Sequence, residues 1–183
     1  ILIKTRRLGY DGKGQILVET LDDINNHFLG KTLFPSIAEE VISFDRELSV
    51  IIVRDKEGNI KTFEPGENVH KSGILVTTTL PSSTNEVLKN DAVTIARKIV
   101  ANLDYIGVMG VEFFLKENEL YVNEIAPRVH NSGHWTMDGA YSSQFQQHIR
   151  AIMDLPLLST ERHSDIIMYL SLIHISEPTR PLY

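Results

Sequence analysis

The segment NEIAPRVHNSGHWTMDGA holds the densest group of ionisable and hydrogen-bonding side chains in the sequence. Arg128 can clamp an anion through two parallel hydrogen bonds. His130 and His134 can orient a ligand or move a proton. Small polar groups that allow a ligand to come close lie between the two histidines, at Asn131 and Ser132. This density indicates a binding or catalytic site rather than a solvent loop.

Two carboxylates precede the segment in apolar surroundings. Glu112 interrupts GVMGVEFFL, and Glu124 lies near the end of LYVNEIA. Carboxylates rarely stay buried unless they are paired or bind a metal. Two of them on facing strands would repel unless a cation lies between them, and oxygen ligands suit Mg²⁺, with Mn²⁺ as an alternative. The pattern favours a metal site over two side chains that face solvent.

The spacing of the two carboxylates predicts how their strands pair. A three-residue loop at 117–119 would pair Lys116 with Leu120 and therefore Glu112 with Glu124. Both carboxylates would then project from one face of the hairpin. The same register puts Phe114 and Val122 on that face, and on the other face Val111, Phe113, Tyr121 and Ile125.

The glycine-rich stretch GYDGKGQ, residues 9–15, lies between two predicted strands. Its glycines expose backbone N–H groups that can surround a phosphate, and Lys13 adds a positive charge. It is not a Walker loop, because no G-K-[ST] precedes a helix. Taken alone, the stretch is equally consistent with a flexible hairpin tip.

Lys4 and the stretch EEVISFDRE are weaker candidates. Lys4 ends an apolar strand, where an isolated lysine is usually a solvated edge residue. EEVISFDRE alone predicts a solvated strand margin. Beside a nucleotide, the backbone of Glu40 and Val41 could read an adenine edge while a carboxylate holds the ribose hydroxyls.

The elements that must position these groups follow an α+β pattern with antiparallel hairpins, rather than alternating strands and helices. The stretch ENVHKSGIL is predicted as loop and sheet edge. Strands are predicted at 1–5, 16–18, 33–37, 47–55, 60–63 and in a hairpin over 105–126, and helices at 20–28, 83–103 and 142–153.

Composition narrows the class of protein. The 183 residues are 42% apolar and 23% charged with a net charge of −6. These values are typical of a globular protein with one domain, either undivided or in two lobes. No long basic run predicts a nucleic-acid surface, and no apolar run is long enough for a membrane span. The absence of cysteine excludes disulfides and fits a reducing cytosol.

Residues 170–183 resemble a translated sequencing adapter, so we expect them to lie outside the core and assign the domain to 1–169.

The sequence resembles the ATP-grasp superfamily and, within it, the N5-carboxyaminoimidazole ribonucleotide synthetases of purine biosynthesis. The matching stretches are KTRRLGYDGKGQ, EEVISFDRELSV, ENVHKSGIL and the long run from NEIAPRVHNSGHWT to MDLPL. The resemblance implies a partial ATP-grasp domain without the family's N-terminal Rossmann-like region and most of its C-terminal domain. It also implies a cytoplasmic ligase, homodimeric at full length, whose isolated fragment is not expected to turn over.

The implied reaction joins bicarbonate to 5-aminoimidazole ribonucleotide at the expense of ATP, through carboxyphosphate. The resemblance implies Mg²⁺ ligands at Glu112 and Glu124, and catalytic roles at Arg128, His130, Asn131, Ser132 and Lys13. It implies nucleotide contacts at Lys4, Gly9, Tyr10, Asp11, Gly12, Lys13, Gly14, Gln15, Glu39, Glu40, Val41, Ile42, Glu47, His70, Asn123 and Glu124. One departure from the family is Val76, where a polar residue is common.

Two other functions are compatible with parts of the pattern. One is a different ATP-grasp enzyme, such as the formate-dependent glycinamide ribonucleotide transformylase or a biotin carboxylase, although RVHNSGHWT argues against both. The other is a nucleotide-binding module without catalysis, against which the intact Glu112, Glu124, Arg128 and Lys13 argue.

Overall fold

A computed structural model describes residues 1–7, 14–28 and 35–171 of the chain. The chain divides into two compact units: residues 1–43 with Lys71–Ile74, and residues 44–70 with the chain from Leu75 onward. Within the described part of the chain, no helix has the length and apolar character needed to cross a membrane.

The first unit is built on a three-stranded antiparallel sheet with the order β2-β1-β3. Its elements are β1 (Leu2–Thr5), β2 (Gln15–Leu17), α1 (Leu21–Phe28) and β3 (Ser36–Glu39). Thr20 and Asp23 cap α1 reciprocally, since each side chain accepts a hydrogen bond from the other residue's backbone N–H. The strand predicted at 33–37 begins outside the described residues, and β3 continues two residues beyond its predicted end.

The second unit is built on a seven-stranded sheet. Its strands are β4 (Arg46–Arg54), β5 (Ile60–Thr62), β6 (Gly66–Lys71), β7 (Ile74–Leu80), β8 (Gly107–Lys116), β9 (Glu119–Ala126) and β10 (Ile166–Tyr169). The order is β10-β7-β6-β4-β8-β9, with β5 also paired to β4. Antiparallel pairing joins β4 to β5, β6 and β8, β8 to β9, and β7 to β10. The predicted α+β class with antiparallel sheets is confirmed.

The prediction of loop and edge for ENVHKSGIL was wrong, because β6 and β7 cover it as internal strands of the sheet. The reason is an inverted pattern of burial. Asn68 is buried at 4% exposure, while Val69 beside it is 55% exposed. A strand that buries its polar residues does not produce the apolar alternation that sequence analysis looks for.

Alternate residues of β4 enter two separate cores, one on each face of the sheet. Val50 and Ile52 pack in a core that includes Ala92, Ala96 and Val100 of helix α2 (Glu86–Asn102). Asn85 caps this helix, since its side chain accepts a hydrogen bond from the N–H of Leu88 at 3.0 Å.

The other core holds Ile51 and Val53 of β4 together with Trp135 and Ala151. It is covered by a 3₁₀ turn (Asn131–Gly133), the short helix α3 (Thr136–Gly139) and helix α4 (Gln144–Ile152). Helix α4 is inverted relative to an ordinary amphipathic helix. Its fully buried side chains include Gln144 and Gln147, whereas its exposed ones include Phe145, Ile149 and Ile152.

The C-terminal strand closes the described chain. β10 pairs with β7, and the N–H of Leu170 donates to the carbonyl of Val76 at 2.9 Å. Residues 172–183 lie outside the described residues, so the expectation that they avoid the core stays a prediction.

Candidate functional site

The candidate site lies on one face of β4, β6, β8 and β9. Glu47 is opposite Asn68 on β6 and opposite Phe114 on β8. Glu112 is opposite Glu124 on β9. Since side chains in register share a face, polar groups from four strands come together beside the apolar core under α4.

The pairing of Glu112 with Glu124 is confirmed, but the predicted route to it was wrong. The loop has two residues rather than three, because Lys116 pairs with Glu119. Glu117 and Asn118 both have positive φ, at 50° and 68°, as a tight two-residue hairpin turn requires. The predicted left-handed loop geometry is therefore present, one residue shorter than expected.

A β-bulge restores the register of the carboxylates. The pairing shifts by one between Glu112 and Phe113, so that Asn123 is an extra residue in β9. The Nδ2 of Asn123 donates to Oε2 of Glu112 at 3.4 Å. The faces predicted for Val122 and Tyr121 were wrong, since Val122 pairs with Phe113 and Tyr121 with Phe114.

The carboxyl group of Glu112 is the electrostatic centre of the site. Its side chain is 12% exposed. Its pKa is raised to about 6, mainly by burial and next by repulsion from the Glu124 carboxylate. His70 and Asn123 act to lower this pKa. Glu112 therefore lacks a full neutralising partner among the described residues, and a cation would supply one.

His70 and Glu47 form a partly buried pair next to Glu112. Nδ1 of His70 lies 2.9 Å from Oε2 of Glu47, and its Nε2 lies 3.9 Å from Oε1 of Glu112. The hydrogen bond to Glu47 raises the pKa of His70, although burial acts in the opposite direction. The Glu47 carboxylate therefore favours the protonated form of this histidine.

His130 is buried, and its ring also lies close to the carboxyl group of Glu112. The N–H of Ser132 donates to its Nδ1, and the Ser132 hydroxyl lies 2.8 Å from the same nitrogen. Nε2 of His130 lies 3.5 Å from Oε1 of Glu112. Burial first, and the charge of Arg128 second, lower the pKa of His130 to about 4, so at neutral pH the contact is not an ion pair.

Three of these groups form a candidate metal-binding cluster. Glu112, Glu124 and His130 each offer a ligand atom, and those atoms lie within 4.8 Å of one another. The donor set of two carboxylates and a neutral imidazole fits a divalent cation, and the imidazole makes Mn²⁺ as suitable as Mg²⁺. The unneutralised Glu112–Glu124 pair is the feature that a cation would complete.

The remaining predicted catalytic residues lie in the same stretch of chain but in different surroundings. Arg128 is exposed, and its guanidinium donates to the carbonyl of Val129 at 2.9 Å. Asn131 is half-buried at the start of the 3₁₀ turn. Ser132 is fully buried, so its hydroxyl serves the His130 ring in this structure rather than open solvent.

The first unit holds the other predicted nucleotide contacts. Lys4 pairs across the sheet with Gln15, and its Nζ forms an ion pair of 2.6 Å with Glu39. Glu40 and Val41 are exposed, and Ile42 is half-buried. Gly14 has φ of 79°, which favours glycine. The predicted contacts that lie outside the described residues are Gly9, Tyr10, Asp11, Gly12 and Lys13.

Sequence reasoning missed Gln144 and Asn68. Gln144 is 0% exposed, and its side chain bonds the backbone of His130. Asn68 accepts from the Thr78 hydroxyl at 2.9 Å, and its Nδ2 is buried without a partner among the described residues. The only signal in the sequence was a polar side chain within a predicted structural element. That signal does not tell whether the amide is buried or exposed to solvent.

Comparison with known proteins places this geometry in a family. A relative from Brucella melitensis, an N5-carboxyaminoimidazole ribonucleotide synthase, is 51% identical over 170 residues, which are 91% of this chain and 47% of that protein. The chain thus spans about half the length of the curated relatives it matches.

Solved structures agree with the sequence relatives. The Aspergillus clavatus carboxyaminoimidazole ribonucleotide synthase complexed with ATP has a TM-score of 0.85 at 36% identity, over 92% of this chain and 45% of that one. The enzyme from the same organism in complex with ADP and 5-aminoimidazole ribonucleotide has a TM-score of 0.82 at 34% identity, over 92% and 44%. The family profile described as the ATP-grasp domain matches residues 1–145. With most of its length inside that profile and its carboxylates paired across a hairpin, the chain belongs to the ATP-grasp family.

Proposed function

We propose that the complete protein containing this chain carboxylates 5-aminoimidazole ribonucleotide with bicarbonate and ATP, giving N5-carboxyaminoimidazole ribonucleotide, ADP and phosphate. The observation that supports this most directly is the bulge that aligns Glu124 with Glu112 beside His130. The second support is similarity, since 91% of this chain aligns with an N5-carboxyaminoimidazole ribonucleotide synthase. A cytoplasmic location and a homodimeric assembly complete the proposal.

The proposed chemistry has two group transfers. An oxygen of bicarbonate attacks the γ-phosphorus of ATP, and ADP leaves with the electrons of the broken P–O bond. The carboxyphosphate then passes its carboxyl group to the exocyclic amine, phosphate leaves, and the amine loses a proton. Both steps concentrate negative charge, and carboxyphosphate hydrolyses readily, so the protein must neutralise charge and limit the access of water.

The chain's own residues suit those two tasks. Glu112 and Glu124 would hold a divalent cation, which supplies charge neutralisation at the phosphates when bound. His70, whose pKa is raised mainly by its hydrogen bond to Glu47, would donate to an anionic oxygen. Arg128 is exposed and would reach the transferring group. His130 is buried and neutral, which suits a group that orients a ligand without adding charge.

A phosphate-release assay on the complete protein tests the function. We expect release from ATP to depend on both bicarbonate and 5-aminoimidazole ribonucleotide, and N5-carboxyaminoimidazole ribonucleotide to form in equal amount. Release driven by a different acceptor would assign another ATP-grasp ligase. ATP binding without any release would assign a nucleotide-binding module.

Nucleotide binding can be tested separately on the complete protein. ATP with Mg²⁺ should raise the melting temperature of the complete protein by mass action, and Lys4→Met should remove most of the shift because the ammonium group would contact phosphate. Lys56→Met is the matched control, since Lys56 is exposed in the turn after β4. Equal shifts for the two variants would remove Lys4 from the nucleotide site.

A further inference from the structure

The buried side chain of Gln144 makes three contacts with residues 130–134, which are called the catalytic segment below. Its Oε1 accepts from the N–H of His130 at 2.9 Å, and its Nε2 donates to the carbonyl of His130 at 2.7 Å. Nε2 also lies 3.0 Å from Nδ1 of His134. The side chain is 0% exposed, so water does not compete for these bonds.

The three contacts fix which way the amide points. Exchanging its oxygen and nitrogen would set the NH₂ group against the N–H of His130 and the oxygen against the His130 carbonyl. Both contacts would become repulsive in a buried place. The observed orientation instead uses both amide hydrogens and one oxygen lone pair.

The amide orientation dictates the tautomer of His134. An amide nitrogen has hydrogens but no available lone pair, so it can only donate. Nδ1 of His134 must therefore accept, which leaves the ring proton on Nε2. No partner for that Nε2–H is found within the described residues, and the ring is half-buried, tilted against Phe145 with centroids 5.4 Å apart.

We propose that Gln144 is a positioning residue that holds His134 as the Nε2–H tautomer, so that His134 donates a hydrogen bond to an oxyanion ligand of the site. The role toward a ligand rests on the proposed function, whereas the tautomer does not. A ring held in this form donates at Nε2 and does not take a proton there. Of the two roles considered for His134, orientation of a ligand is retained and proton acceptance is excluded.

Gly133 belongs to the same arrangement. A Cβ at this position would lie 2.6 Å from Oε1 of Gln144 and 2.9 Å from the side chain of Ile51. Glycine therefore permits the close approach of the amide to the turn. Gly133→Ala should displace the amide and release His134 from its fixed tautomer.

Helix α4 offers a matched control one turn further along. Gln147 is also 0% exposed, and its amide bonds the Ser142 hydroxyl and the backbone of Leu158 instead of the catalytic segment. Changing either glutamine to glutamate keeps the shape, removes the donor and buries a carboxyl group. The two variants should therefore suffer similar structural damage while differing in their effect on His134.

Nitrogen NMR of the ligand-free chain at neutral pH decides the tautomer. In the wild type we expect Nε2 of His134 to be protonated and a coupling across the hydrogen bond between Gln144 Nε2 and His134 Nδ1. Gln144→Glu should move the proton to Nδ1, which then donates to the carboxylate, and Gln147→Glu should leave the tautomer unchanged. A wild-type His134 that is protonated at Nδ1 or averages between tautomers overturns the proposal, even if Gln144→Glu fails to fold.

Kinetics of the complete protein then test the consequence. Gln144→Glu should lower the rate of carboxylation at least tenfold with little change in the KM for ATP, and Gln147→Glu should not. Equal losses in the two variants would reduce Gln144 to a structural role. If the complete protein catalyses no such carboxylation, the proposed function fails, and the NMR result still decides the role of Gln144.

Discussion

Acidification of the metal-free chain should change its stability through two buried groups that act in opposite directions. His130 has its pKa lowered from 6.5 to about 4, mainly by burial. Glu112 has its pKa raised from 4.5 to about 6, also mainly by burial. Comparing the wild type with Glu112→Gln and His130→Asn between pH 7 and pH 5 separates the two contributions.

The sign for His130 follows from the depressed pKa. The unfolded chain binds the proton more tightly, so the contribution of His130 to stability is present above pH 6.5 and is lost as the pH falls toward 4. Between pH 7 and pH 5 the loss is about 2 kcal/mol, at about 1.4 kcal/mol for each unit of pKa difference.

The sign for Glu112 is the reverse. The folded chain binds this proton more tightly, so stability rises as the pH falls from about 6 toward 4.5. The gain between pH 7 and pH 5 is about 1 kcal/mol. From these two groups the wild type should lose about 1 kcal/mol, Glu112→Gln about 2 kcal/mol, and His130→Asn should gain about 1 kcal/mol.

Urea unfolding followed by circular dichroism, with EDTA present, measures these differences. The rest of the chain is shared by all three proteins, so the differences between variants carry the information. The hydrogen bond that His70 donates to Glu47 is the main cause of the raised pKa of His70, so loss of Glu112 should alter that contribution less. A pH dependence of Glu112→Gln equal to that of the wild type would refute the raised pKa of Glu112. A loss in His130→Asn equal to that in the wild type would refute the lowered pKa of His130.

Two further variants test the close packing beside His130 and the turn of the β8–β9 hairpin. Gly110→Ala would place a Cβ 2.8 Å from the Cβ and ring of His130, and should lower the unfolding free energy by about 1–3 kcal/mol; an unchanged urea midpoint would contradict that close approach. The double change Glu117→Asn with Asn118→Gly supplies the residues preferred where both turn positions have positive φ, and should raise stability by about 0.5–2 kcal/mol. A lower midpoint in the same assay would contradict the turn geometry.

The elements with regular apolar patterns could be predicted from the sequence. The apolar run in ELSVIIVRD and the helical spacing in α2 both placed their elements within a few residues of the observed ends. The facing carboxylates were also predictable, because two carboxylates inside apolar strands repel each other and need a cation as a shared partner. Each of these signals can be read from a short stretch of sequence.

The missed features depend on contacts between distant parts of the chain. In β6, the side chain of Asn68 faces inward, where it accepts a hydrogen bond from the hydroxyl of Thr78. Likewise, α4 buries Gln144 rather than Phe145 because Gln144 completes the backbone bonding of a segment that is 14 residues away at His130. Apolar periodicity alone points to the wrong face of α4. The hairpin register was predicted from the length of the loop alone. The local sequence around Asn123 does not reveal the β-bulge, so the bulge was missed.

That bulge has a consequence for insertions and deletions in alignments of this hairpin. Asn123 is the extra residue, so deleting it would leave Val122 opposite Phe113 and bring Glu124 opposite Glu112 in an unbroken ladder. A single-residue deletion inside a strand ordinarily reverses every side chain beyond it. At this position it would preserve both carboxylates on their face and remove only the amide between them. A gap at Asn123 in a homologous sequence is therefore compatible with an intact pair of glutamates, and should not be taken as a sign that the pair has been lost.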